Sequence, residues 1–131
     1  MLSKIALSDF MSTNVITVTP DTEITQAIKI LLDHKITSMP VLNEQGDLIG
    51  LFSEKDGVKG VVESAYNQSR DGKVGENMTK NPPTIDAESS IVDAAIKFQE
   101  LATRSFPVFR EGEMVGIISR VDVMRALITH N

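Results

Sequence analysis

The chain reads as two tandem copies of a β-α-β-β-α unit, an α/β (α+β) architecture packed with pseudo-two-fold symmetry. Three observations carry that reading: the sequence repeats itself, its helical segments hold apolar residues at helical spacing, and each first helix is followed by two short apolar runs joined through turn formers. Repeats come first, because self-similarity constrains the whole fold. Shifted by 67 positions, Met11-Ser12-Thr13-Asn14 falls on Met78-Thr79-Lys80-Asn81, and Ser38-Met39-Pro40-Val41 falls on Ser105-Phe106-Pro107-Val108. One residue is lost in the loop after Glu44 and Glu111. Beyond it, at an offset of 66, Gly50-Leu51-Phe52-Ser53-Glu54-Lys55-Asp56 meets Gly116-Ile117-Ile118-Ser119-Arg120-Val121-Asp122. Of the 45 aligned pairs 13 are identical, where ordinary residue usage gives about 3 by chance.

The elements follow in the same order in each copy. An extended piece, Val15 to Thr19 or Thr84 to Asp86, leads into an acidic helix start at Pro20-Asp21-Thr22 or Ala87-Glu88-Ser89. Ile24, Ala27, Ile28, Leu31 and Leu32 then mark one buried helical stripe, repeated as Ile91, Ala94, Ala95 and Phe98. Two strands come next: Met39 to Leu42 and Leu48 to Phe52, joined by Asn43-Glu44-Gln45-Gly46-Asp47. Their counterparts are Phe106 to Phe109 and Met114 to Ile118, joined by Arg110-Glu111-Gly112-Glu113. A second helix begins after Ser53 with Val58, Val61, Val62 and Ala65, and after Ser119 with Val121, Met124, Leu127 and Ile128. The copies span 8–66 and 75–128, and the polar, glycine-bearing stretch 67–74 reads as a linker. A copy of about 55 residues is marginal alone, so the two are expected to pack as one pseudo-symmetric module.

Composition excludes several classes of function. The chain has 131 residues, 41% hydrophobic, with thirteen Lys and Arg against eighteen Asp and Glu, a net charge of −5. That balance argues against nucleic-acid binding, whose affinity rests on clustered cations. Cysteine is absent, which removes disulfides, thiolate metal sites and cysteine nucleophiles together. No segment approaches eighteen consecutive apolar residues and the start has no signal-like run, so the expectation is a cytoplasmic domain with no membrane contact. His34 and His130 lack companion ligands, so no metal site is expected. Without a nucleophile and base, a metal or a paired acid and base, the chain is not expected to be an enzyme. The six Met residues are read as core filler.

The paired motifs resemble the CBS-domain family. Ser38-x-Pro40-Val41 with Gly50-x-x-Ser53-x-x-Asp56, and Ser105-x-Pro107-Val108 with Gly116-x-x-Ser119-x-x-Asp122, match its pattern in order, and the resemblance covers about residues 8 to 128. It implies a pair of CBS motifs (a Bateman module), usually a homodimer, that binds adenosine-containing ligands such as AMP, ADP, ATP or S-adenosylmethionine without any required cofactor. It further implies two composite clefts. The first would use Ser53, Lys55 and Asp56 with Thr84, Ile85, Arg104, Ser105, Phe106 and Pro107. The second would use Ser119, Arg120 and Asp122 with Thr17, Val18, Thr37, Ser38, Met39 and Pro40. In such clefts an Asp accepts both ribose hydroxyls, Val18, Ile85, Met39 and Phe106 sandwich the base, and the helix start favours a phosphate.

Each of these residues also has a plainer reading. Ser-x-x-Asp is a helix capping box, a role that competes with ribose for the same carboxylate. Lys55 and Arg104 read equally as solvated charges, and Arg120 as a surface partner of Glu113 or Asp122. With two cations, Lys55 and Arg104, the first cleft is the better expectation for a phosphorylated ligand. Two functions follow: a regulatory sensor acting on an unidentified protein partner, or a dimerisation and docking module with empty clefts. Glu54 beside the phosphate position, and Gly57 and Gly60 in the helix that holds Asp56, favour the second.

Overall fold

The computed structural model describes residues 2–67 and 72–130. They form two compact units. The first runs from Ile16 to Pro82; the second combines the residues up to Val15 with those from Pro83 onward. Each is a mixed α and β body around its own core.

The first unit contains helix α1 (Ile24–His34), strands β1 (Ser38–Leu42) and β2 (Leu48–Ser53), helix α2 (Glu54–Asn67), the short α3 (Val74–Asn77) and β3 (Thr79–Lys80). Its sheet has the order β1-β2-β3, antiparallel throughout, and Val18 adds a parallel bridge to Val41. The second unit contains two 3₁₀ turns (Leu2–Lys4 and Leu7–Asp9), β4 (Ile85–Asp86), α4 (Ile91–Glu100), β5 (Ser105–Arg110), β6 (Glu113–Ser119) and α5 (Arg120–Thr129). Here β4 pairs parallel with β5, β5 pairs antiparallel with β6, and Ser12 bridges to Ile117 on the far edge. The second unit therefore follows β-α-β-β-α; in the first the opening strand expected over Val15 to Thr19 is reduced to the single Val18–Val41 bridge, and each unit adds one short piece to the sheet edge. Glu111 and Gly112, at φ 52° and 82°, give the second hairpin the doubly left-handed two-residue turn that suits the twist of its strands.

The added pieces come from the neighbouring stretch of sequence. Residues up to Val15, which include the start of the first copy, pack with the second, and 72–82, which include the start of the second copy, pack with the first. The Leu7 amide donates to the Ser89 carbonyl (3.0 Å), and 67 positions on the Val74 amide donates to Thr22 (2.9 Å). Likewise Ile91 donates to Ile5 (2.9 Å) and Ile24 to Gly72 (3.0 Å). Leu7 and Val74 are both fully enclosed. The stretch 67–74, expected as a linker, is described only at its two ends. Asn67 closes α2, while Gly72, Lys73 and Val74 join the first unit through the Gly72 carbonyl, a Lys73 bridge to Glu23 and the buried Val74 side chain. Gln68 to Asp71 lie outside the described residues.

The core of the first unit gathers Val18, Ile24, Ala27, Leu31, Met39, Val41, Phe52 and Val74. That of the second gathers Leu7, Ile85, Ile91, Phe106, Val108 and Ile118 among others. The helical stripes are seen as expected but for one residue: Leu32 is 71% exposed, because 100° per residue places it about 90° from the centre of the Ile24–Leu31 stripe. Gly57 and Gly60, read as weak points of α2, are its packing surface. A Cβ at Gly57 would stand 2.9 Å from Ile28 Cγ1, and one at Gly60 would collide with Ile24 Cδ1. The second copy holds Val123 and Ala95 where the first holds Gly57 and Ile28, so bulk moved from one helix to the other at nearly constant volume. Among the described residues no helix is long and apolar enough to cross a membrane.

Candidate functional site

Each unit gathers three of the singled-out segments at one end of its sheet. In the first unit the β1–β2 ladder sets Ser38 opposite Ser53. The Glu54 amide, first in α2, donates to the Thr37 carbonyl (2.9 Å), and the Val18 amide to Pro40 (3.1 Å). The second unit repeats the arrangement. Ser105 lies opposite Ser119, Ile85 opposite Val108, and the Arg120 amide donates to the Arg104 carbonyl (3.2 Å). Thr17, Val18, Thr37, Ser38, Met39 and Pro40 are thus neighbours of Ser53, Lys55 and Asp56. Thr84, Ile85, Arg104, Ser105, Phe106 and Pro107 are neighbours of Ser119, Arg120 and Asp122.

The strand-to-helix junctions are capped by the Ser-x-x-Asp residues. In the first unit the Ser53 amide and hydroxyl both donate to Asp56 Oδ2 (2.9 and 3.0 Å), and the Asp56 amide donates back to Ser53 Oγ (3.2 Å). In the second, the Ser119 amide donates to Asp122 Oδ2 (2.8 Å) and the Asp122 amide to Ser119 Oγ (3.2 Å). Both are capping boxes, so the plainer reading of these residues holds in this structure. The same geometry sets a carboxylate at the positive dipole end of a helix of ten residues or more, where an anion is favoured. Among the described residues the ionic partner of Asp122 is Arg125, at 3.1 Å.

Burial sorts the remaining candidates. Thr17, Thr37, Lys55, Arg104 and Arg120 are exposed, Thr84 is half-buried, and Ser38 and Ser105 are buried. Met39 and Phe106, expected against an adenine face, are fully enclosed by their own units' cores. At those positions it is the backbone, rather than the side chain, that borders the strand end. Val18 and Ile85 keep only 6% of their surface. Lys97 escaped notice in the sequence. Its ammonium donates to the Thr84 carbonyl and lies 5.5 Å from the centre of the Phe106 ring, a cation held against two candidate residues. The equivalent position in the first copy is Ile30, so the repeat gave no signal for it.

A family model described as CBS domain matches the chain twice, over residues 7–63 and 72–129. The chain belongs to the CBS-domain family and carries a pair of its motifs. Among solved structures, the CBS domain pair of protein MJ0100, determined with 5′-methylthioadenosine and S-adenosyl-L-methionine, shares the fold at a TM-score of 0.84. It is 28% identical and is covered over 98% of its length by 96% of this chain. CBSX2, a CBS-pair protein of Arabidopsis thaliana, determined in complex with AMP, matches at 0.79 and 28% identity, over 95% of this chain and 97% of that one. A homoserine O-acetyltransferase of Methanococcus vannielii is 28% identical over 127 residues, which are 96% of this chain and 25% of that enzyme. The chain spans between 31% and 73% of the length of three further curated relatives.

Proposed function

We propose that this chain is a regulatory module, not an enzyme, that binds adenosine-containing ligands (AMP, ADP, ATP or S-adenosylmethionine) and passes its bound state to a protein partner. The observation that carries the reading is the carboxylate of Asp56, held at a helix start beside Lys55, with a duplicate at Asp122; the ligands named for MJ0100 and CBSX2 support it. In this reading Asp56 and Asp122 accept the ribose hydroxyls. The α2 and α5 N-termini, with Ser53, Lys55, Ser119 and Arg120, receive phosphate. As the resemblance implies, each cleft is completed by strand residues of the other copy: Thr84, Ile85 and Arg104 to Pro107 for Asp56, and Thr17, Val18 and Thr37 to Pro40 for Asp122.

A thermal-shift series with AMP, ADP, ATP, S-adenosylmethionine and GMP tests this. A ligand at about 100 times its Kd adds roughly 2.7 kcal/mol, a shift of several degrees for a domain of this size. An adenine ligand is expected to give that shift and GMP is not. No shift with any of them at millimolar concentration leaves the docking module instead.

We also infer a homodimer built on the second helices. Val58, Val61 and Val62 on α2, and Val121, Met124 and Ile128 on α5, are 44–80% exposed, an apolar load that a second copy would cover. Sedimentation is expected to give twice the chain mass, and half of it in Val62→Asp with Ile128→Asp. A monomeric wild type refutes the inference.

A further inference from the structure

The two Ser-x-x-Asp caps are alike, but the turns of helix beyond them are not. In α2, Lys59 stands three residues past Asp56 and reaches forward to Glu63, with Nζ 4.0 Å from Oε1. In α5 the equivalent of Lys59 is Arg125, and the equivalent of Glu63 is Thr129. Thr129 offers no carboxylate; its hydroxyl donates to the Arg125 backbone carbonyl (2.8 Å). With no acid ahead of it, Arg125 turns back, and its Nη1 donates to Asp122 Oδ1 at 3.1 Å.

The carboxylates are left unequal. Asp122 gives Oδ2 to the cap and Oδ1 to Arg125. Asp56 receives both of its bonds on Oδ2, and Oδ1 accepts none among the described residues. The Asp122 side chain keeps 10% of its surface and that of Arg125 keeps 56%, so the guanidinium covers an oxygen that a hydroxyl pair would otherwise reach.

We propose that Arg125 sets the affinity of the Asp122 site by competing with ribose for Oδ1, so that the two sites fill at different ligand concentrations, Asp56 first. This rests on the reading of Asp56 and Asp122 as ribose acceptors, and goes beyond it by naming the residue that ranks them.

Calorimetric titration of the full chain with AMP tests the proposal. Wild type is expected to bind in a tighter class lost in Asp56→Asn and a weaker class lost in Asp122→Asn. Arg125→Ala, and separately Thr129→Glu, are expected to tighten the weaker class about two- to fivefold, the scale of a part-exposed ion pair, and to leave the tighter class unchanged. Thr129→Glu supplies the acid that Glu63 supplies to Lys59 and draws Arg125 away without deleting it, so an effect shared by both variants is not damage to α5. Two equal classes in wild type overturn the proposal. So does a tighter class that belongs to Asp122, or weaker binding in both variants, which would make Arg125 a ligand contact. Absence of AMP binding in wild type overturns the sensing reading beneath it, and is told apart by leaving nothing for Asp56→Asn to remove.

Discussion

Replacing Leu7 by Ala is expected to lower the stability of the chain by about 2–5 kcal/mol, the usual cost of emptying an enclosed leucine site. Leu7 belongs to a 3₁₀ turn in a stretch that precedes every helix and regular strand, where a truncated side chain would ordinarily cost little. Here it has no exposed surface and sits in one cluster with Ile85, Ile91, Phe106, Val108 and Ile118. Its amide is bonded to Ser89, so the backbone that carries it is fixed as well. The measurement is the midpoint of urea unfolding at unchanged slope. Leu32→Ala is the control, since the same atoms are removed from a residue 71% exposed, and it should cost within about 0.5 kcal/mol. Equal costs for the two would mean that Leu7 does not belong to the core of the second unit.

Asp56→Asn is expected to weaken AMP binding about ten- to hundredfold, because a hydrogen bond to a charged group contributes about 1.5–3 kcal/mol and asparagine keeps the shape without the charge. The same substitution separates the two roles of the carboxylate. The asparagine carbonyl oxygen can accept the same bonds from the Ser53 amide and hydroxyl, so what is lost is a charge in the first turn of the helix, about 0.3–1 kcal/mol, and the melting temperature should fall only slightly. Titration calorimetry gives the affinity and a thermal scan the stability. Unchanged affinity with a fallen melting temperature would make Asp56 a cap and nothing more.

Much of this was legible in the residues. The repeat fixed the element order, the 3.6-residue spacing placed Ile24, Ala27, Leu31, Ile91 and Ala94 inward, and Ser53-x-x-Asp56 and Ser119-x-x-Asp122 announced their capping geometry. The partners of the short edge pieces were not legible. β3 has two residues and Ser12 makes a single bridge, too short for any periodicity to say which sheet they join. Gly57 and Gly60 misled because helix propensity counts a missing side chain as a loss, whereas here the missing atoms are what lets Ile28 and Ile24 approach. Arg125 stood in plain view three residues past Asp122, but its direction depends on what Thr129 lacks, a comparison that needs both helices placed.

The backbone passes between the units at Val15–Ile16 and again at Pro82–Pro83, positions that are themselves equivalents in the repeat. In sequence the first unit is therefore an insertion within the second, and residues 2–15 and 83–130 belong to the same body. Any domain fused at either end would be tethered to the body that holds Asp122 and Arg125. The body that holds Asp56 would be covalently linked to it only through those two crossings, one of them a pair of prolines with φ already fixed.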